Sequence, residues 1–228
     1  MAYRLNSTWV YADNGDLEFQ VFDDPRENPM CEMAYVDPSG VDWEARGIFP
    51  ESRPTQMRHG YPVVADTAPR KLFWNGEGRA PPEVDKPYGV FLVPDRFRLL
   101  VEQFEPGVHQ FIPVGIYDDP EAREPVAQYF WFNICTRLDS VNHDRTTMFY
   151  IQSHEGTWRW GRSLLVNGKF ERRPNAYVTL STAKIGSRHI WVDHTLSGEG
   201  YAFCSDAFGE AALAARFSGL HALRYNEA

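Results

Sequence analysis

The chain has 228 residues, a net charge of −8, 43% hydrophobic content and 14% aromatic content. That content can supply a sizeable core, so general disorder is excluded, and no run approaches the ~18 apolar residues of a membrane span. The acid excess argues against nucleic acid or an anionic membrane as partner, because both require positive charge.

The length suits one large domain, and a single domain over 1–228 is expected. Cys31, Cys135 and Cys204 are far apart, odd in number and without a C-x-x-C pair, so they read as reduced thiols. The opening MAYRLNSTWVYADNGD lacks an apolar h-region, so no signal peptide is expected and the location reads as cytoplasmic. Charge is uneven along the chain. Residues 1–85 hold 15 acids and 8 bases, against 16 and 15 in residues 86–228. Solubility is the plain reading of that balance. The functional reading is a basic protein partner, since opposite fields raise association rates.

In chain order, residues 8–12 (TWVYA) and 17–22 (LEFQVF) read as a strand pair about the turn Asn14-Gly15. Residues 23–86 hold nine of the 16 prolines, many charges and isolated aromatics (Trp43, Phe49, Phe73, Trp74). No period of 2 or 3.6 persists there, so the segment reads as irregular, Pro-rich and acidic, packed on the core. A long excursion of that kind is often functional.

Periodicity returns at 88–93, a short buried strand. Pro94-Asp95 begins a helix with Phe97, Leu100, Val101 and Phe104 on one face and Gly107 at the stop. Residues 108–117 read as a strand. In 126–137 (VAQYFWFNICTR), Tyr129 and Trp131 face one side and Phe130 and Phe132 the other, the mark of a central strand covered on both sides. Residues 147–152, 163–167, 176–181 and 188–194 read as further strands, with Asn167-Gly168 turning a hairpin. A strand at 201–204, a helix from Ser205-Asp206, Gly219 and a strand at 220–225 follow. The expected fold is α+β: a mostly antiparallel sheet of about eight or nine strands, with two main helices at about 95–105 and 206–217.

Two stretches repeat. VFLVPDRFRLLVEQFEPGVHQFIPV (90–114) and YAFCSDAFGEAALAARFSGLHALRY (201–225) each run strand, Asp, helix, Gly, strand, with an early His in the second strand. Asp95 aligns with Asp206, Phe97 with Phe208, Gly107 with Gly219 and His109 with His221. The pattern is a β-α-β unit used twice, and its strands can be parallel or antiparallel. Geometry opposes a repeated Asp–His site, because ~12 helical residues at ~1.5 Å rise hold the two ~18 Å apart. Asp95 and Asp206 are therefore expected as helix caps, and the histidines as packed residues.

Signs of chemistry are sparse. His189 and Asp193 share a strand face but sit ~13 Å apart, and His194 points the other way, which is poor chelation geometry. No H-E-x-x-H, G-x-S-x-G, G-x-x-x-x-G-K-[ST] or G-x-G-x-x-G motif is present, and no metal or cofactor is expected. Cys135 and Cys204 sit in apolar runs, where a thiol is more often inert than nucleophilic. His143-Asp144 and His154-Glu155 pair acid–base types, but neighbours on an extended chain point apart. Trp158-Arg159-Trp160-Gly161-Arg162 interleaves bases and aromatics and can stack nucleobases. In so acidic a chain, a cation–π strand or a protein-binding patch is favoured.

From Gly89 onward the chain resembles the immunity-11-like proteins of bacterial polymorphic toxin systems. The resemblance rests on the order and spacing of GVFLVPDRFRLLVEQFEPGVHQFIPV, QYFWFNICTRLD, STAKIGSRHIWVDHTL and YAFCSDAFGEAALAARFSGLHALRY, within about 89–228. It implies a cytoplasmic, non-enzymatic protein that binds a cognate secreted toxin and blocks it by steric occlusion. Such toxins are often delivered by contact-dependent or type VI secretion. The resemblance carries over no catalytic residue. Contacts are expected from Asp23, Asp24, Glu27, Asp37, Asp42 and Glu44 of the acidic segment and from exposed Trp43 and Trp158, against a basic toxin. Two other readings stay open. One is a hydrolase that reverses a toxin's modification through His143, His154 or His189 with nearby acids. The other is a non-catalytic subunit of a larger assembly.

Overall fold

The computed structural model describes residues 1–7, 19–21, 57, 60–63, 65, 68–76, 78–152, 158–166, 169–196 and 201–228. Among them are fifteen strands and three helices. A first sheet has five strands, in the order β2 (Phe19–Val21), β3 (Lys71–Trp74), β5 (Gln110–Tyr117), β6 (Ala127–Asn133) and β4 (Phe91–Pro94). A second has six, in the order β12 (Thr179–Leu180), β15 (Leu220–Glu227), β1 (Ala2–Ser7), β14 (Tyr201–Ser205), β13 (Ile190–Asp193) and β7 (Arg137–Leu138). Two ribbons complete the set: β8 (Phe149–Gln152) with β9 (Trp158–Gly161), and β10 (Ser163–Val166) with β11 (Lys169–Arg172). The helices are α1 (Asp95–Phe104), α2 (Thr182–Ile185) and α3 (Asp206–Ala214).

Both large sheets are apolar on both faces, and strand alternation divides their side chains between cores. On β4, Phe91 and Val93 point into a central core and Leu92 into an outer one. On β6, Phe132 joins the central core with Phe130 packed against it, while Tyr129 and Trp131 join the outer one. That is the two-sided burial its sequence pattern requires. From the second sheet, Ile190, Val192, Ala202 and Cys204 enter the same central core, and Trp191 and Phe203 enter a third. The central core thus lies between the sheets, and α1 and α3 reach it through Phe97, Val101, Phe208 and Ala212.

The sequence repeat is a split β-α-β unit. β4 and β5 both pair antiparallel with β6, so they run parallel to each other with β6 between them. β14 and β15 stand in the same relation to β1. The connecting helices α1 and α3 are followed by the expected glycines, Gly107 at φ 68° and Gly219 at φ 82°, values that L side chains resist. Gly209, inside α3, serves a close approach instead. A Cβ there would fall 2.3 Å from Tyr3 Cδ2, so the bare backbone lets β1 seat against the helix.

The structure corrects or refines three expectations. Asp95 and Asp206 are first helical residues rather than caps. Pro94 precedes α1 in an extended conformation and offers no side-chain acceptor, while Ser205 caps α3, its Oγ accepting from Phe208 N–H at 3.3 Å. The two carboxylates still sit at positive helix ends. They pair with Arg98 Nε at 2.7 Å and the Met1 ammonium at 3.0 Å. Second, the strands outnumber the expected eight or nine: β1 and β9 lie outside the strands expected in chain order, and β7, at two residues, is too short to display a period. Third, the pairs are mostly antiparallel, as expected, but β3–β5, β13–β7 and β12–β15 are parallel, so the large sheets are mixed. β3 is a short element within the stretch 23–86; its four residues reveal themselves only against their partner β5. The expected strand 8–12 and the turns Asn14-Gly15 and Asn167-Gly168 lie outside the described residues. β2 falls within the expected 17–22, and β10 and β11 pair as a hairpin requires, Val166 opposite Lys169.

Candidate functional site

The ribbon β8–β9 carries an aromatic ladder. Period 2 puts Trp158 and Trp160 on one face of β9, and the register sets Tyr150 of β8 directly opposite Trp160. Tyr150 meets Trp160 at 4.7 Å between ring centroids and stacks on Trp158 at 5.1 Å. His143 closes the group, edge-on to Trp160 at 5.0 Å and 5.1 Å from Tyr150. The ladder rises from core to solvent: Trp160 is 5% exposed, Tyr150 40% and Trp158 50%. Trp160 is anchored further by its backbone N–H, which donates to Thr195 O at 2.6 Å. The result is a large, rigid apolar projection, which loses little side-chain freedom on binding. Beside it, Asp139 accepts from Lys184 Nζ at 2.9 Å and lies 3.4 Å from His143 Nε2. Partial burial, with the Asp139 charge second, pushes the Tyr150 phenol up from its ordinary value.

Trp160 also lines a cleft of about 330 Å³. Its apolar wall includes Met148, Trp160, Leu196 and Tyr225, and Arg4 and Arg162 line it as well. Among the described residues no acid lines it, although the chain as a whole is acidic.

The buried polar groups work elsewhere, as ties between elements. The Glu105 carboxylate accepts from His189 N–H at 2.8 Å and Ile190 N–H at 3.0 Å, joining the end of α1 to the start of β13. His109 Nδ1 accepts from Cys135 N–H at 3.1 Å, so Nε2 carries the proton and donates to Glu105 at 2.7 Å. Burial would raise the Glu105 carboxyl, but His109 and the two backbone N–H groups outweigh it and hold the group below its ordinary value. Asp193 is similarly occupied: Ser140 N–H and Oγ–H donate to one oxygen, Thr195 N–H, Thr195 Oγ1–H and Leu196 N–H to the other. Burial also pushes the Cys135 thiol up to about 12 and the Cys204 thiol up, which disfavours thiolate chemistry.

Of the residues singled out in the sequence, Trp158 stands half exposed at the head of the ladder. Asp23, Asp24, Glu27, Asp37, Asp42, Trp43, Glu44 and His154 lie outside the described residues. His143 meets Asp139 on open surface and is part of the ladder. His189 meets Ser205 Oγ at 2.8 Å and the edge of Phe104 at 5.0 Å, so it buttresses the cap of α3. His194 Nδ1–H donates to Leu138 O at 2.7 Å; burial, then the Arg137 charge, lowers its basicity. Among the described residues no three metal-ligating side chains converge. Tyr150 and Arg4 escaped the sequence reading. Alternation could have found Tyr150, but Arg4 lies on a strand whose pattern passed unrecognised.

Among the described residues no helix is long and apolar enough to cross a membrane. The sequence model of the Immunity protein family (Imm11) matches residues 27–226, and the chain belongs to that family. The match begins well ahead of residue 89, where the motif resemblance starts, and takes in Glu27, Asp37, Asp42, Trp43 and Glu44. A search among curated proteins gave no match. Family membership gives the chain an immunity role and, in general terms, a toxin as partner.

Proposed function

We propose that this protein binds one cognate secreted antibacterial toxin of a polymorphic toxin system in the cytoplasm and neutralises it by steric occlusion, without catalysis. Family membership is the observation that carries this reading. The aromatic ladder supports it, because half-exposed Trp and Tyr side chains already locked by their neighbours are the usual anchors of a protein interface. In this reading Trp158 is the anchor. The acids Asp23, Asp24, Glu27, Asp37, Asp42 and Glu44, with Trp43, attract a basic toxin delivered by type VI or contact-dependent secretion.

The test is co-expression with the toxin domain encoded beside its gene. Growth should be rescued, and the two proteins should elute together from a sizing column at a 1:1 ratio. Absence of a neighbouring toxin domain, or rescue without a stable complex, would sink the occlusion reading. In the latter case, an unmodified toxin substrate recovered despite an unbound toxin would point to the hydrolase alternative.

A further inference from the structure

We infer that the cleft beside β9 receives a segment of the toxin that sets a carboxylate next to a large apolar side chain. The inference rests on the toxin-binding reading and names the chemistry of one contact within it.

Three observations lead there. The first is charge. In a chain of net charge −8, the cleft is lined by two guanidinium-bearing residues, Arg4 and Arg162, and, among the described residues, by no acid. Among the described residues the Arg162 side chain makes no hydrogen bond or ion pair. A guanidinium at the edge of an apolar wall is weakly hydrated and matches a carboxylate through two parallel N–H donors. The second is shape. A volume of about 330 Å³ bounded by Met148, Trp160, Leu196 and Tyr225 suits a large apolar side chain, with methionine able to adapt to its outline. The third is continuity. Trp160 is both a wall of the cleft and the buried root of the ladder that ends in Trp158. A partner seated on Trp158 and Tyr150 has the cleft within its footprint.

The local demand thus opposes the global field. The acidic surface favours a basic toxin at long range, while the cleft selects an acidic–apolar pair at contact. Such opposition suits specificity, since a uniformly basic surface would leave the arginines facing like charge.

The first experiment needs no toxin. Indole-3-acetate carries the apolar ring and the carboxylate in one molecule, and indole-3-acetamide is its neutral counterpart. Titrated into the isotope-labelled full chain, the acid should shift the Met148 methyl and Trp160 indole signals in a saturable manner. The amide should shift them at least about tenfold more weakly. The second experiment uses the toxin domain. Arg162→Glu should weaken its binding at least about tenfold, with the melting temperature unchanged, and Arg162→Lys should recover part of the loss. Equal shifts by acid and amide, or no shift, overturn the inference. So does wild-type affinity in Arg162→Glu, or a fall in its melting temperature, which would mean that the chain itself fills the cleft. A dimer that Arg162→Glu dissociates would assign the cleft to a second copy and overturn it too. If wild-type protein fails to bind the toxin at all, the toxin-binding reading itself falls, an outcome distinct from these.

Discussion

Phe97 and Phe208, equivalent positions of the two repeated units, meet edge to face with ring centroids 6.1 Å apart. Each is buried, and each follows its helix's first residue by two. Contact between equivalent residues is what two copies related by an approximate two-fold produce. The repeat is therefore a device for closing the central core, with each helix supplying the other's cover. Phe97 also meets Phe132 of β6 and Phe217, at 5.9 and 5.1 Å between centroids, so the pair sits inside the central core.

Phe97→Ala and Phe208→Ala should each cost about 3–5 kcal/mol by denaturant unfolding, the range for a fully buried phenylalanine. The double variant should cost less than the sum, by roughly 0.5–1.5 kcal/mol, because the edge-to-face pair is lost only once. Strict additivity would remove the proposed contact between the units.

Gly209→Ala tests how β1 docks on α3. In an open helix this change is stabilising by about 1 kcal/mol. Here the new methyl meets the Tyr3 ring, so a lower melting temperature is expected despite the better helix former. Tyr3→Ala in the same chain should reverse the sign of the Gly209→Ala effect.

Glu105→Ala leaves the His109 ring N–H and the N–H groups of His189 and Ile190 without their acceptor. A loss of about 3–5 kcal/mol is expected in urea melts at neutral pH. The folded-state value lies below the ordinary 4.5. The carboxylate's contribution is therefore full above about pH 4.5 and is lost as the pH falls through the lower folded value. The gap between wild type and variant should narrow over that acid range.

Asp85 behaves oppositely. It is buried, and burial raises its carboxyl above the ordinary 3.8, although Ser7 Oγ–H and Lys86 N–H oppose the shift. The folded state then holds its proton more tightly than the unfolded state. Its effect on stability is neutral well below pH 3.8 and becomes an increasing penalty as the pH rises toward the folded value. Asp85→Asn keeps an acceptor for Ser7 and removes the charge. It should raise the melting temperature at pH 7 and have little effect at pH 3. An equal shift at both values would contradict the burial argument.

Trp158→Ala should separate binding from folding. The side chain is half exposed, so stability should change by no more than about 0.5 kcal/mol. Toxin affinity should fall about thirtyfold, the loss expected for a central aromatic anchor. Calorimetric titration against the toxin domain measures the second quantity, and a thermal melt the first.

Long apolar elements were legible in the sequence because their periods persist. The two-sided pattern of Tyr129–Phe132 located a central strand, and the stripe Phe97, Leu100, Val101, Phe104 located α1. Trp158 was legible as an exposed aromatic from its basic, aromatic setting. What escaped was whatever depends on partners far away in the chain. β3 and β7 are defined by the strands they pair with, and the cap of α3 passed from Asp206 to Ser205 by a single-residue difference in where the helix begins. The cleft is the extreme case. Arg4, Trp160, Arg162 and Tyr225 come from three regions of the chain, and no local pattern announces their convergence.

β1 lies between β14 and β15, with Ala2 opposite both Ser205 and Tyr225. At a synthesis rate of 5–20 residues per second, the two hundred residues between them take on the order of ten seconds or more to emerge. Throughout that time β1 has neither of its neighbours, and Arg4 and Tyr225 cannot yet face each other across the cleft. The central unit β4-α1-β5 can form earlier, since its partner β6 follows directly. Closure of the cleft is then timed by β15: a nascent chain carries the aromatic ladder but not the cleft beside it, and a ribosome stalled before residue 220 would leave that cleft without its Tyr225 wall.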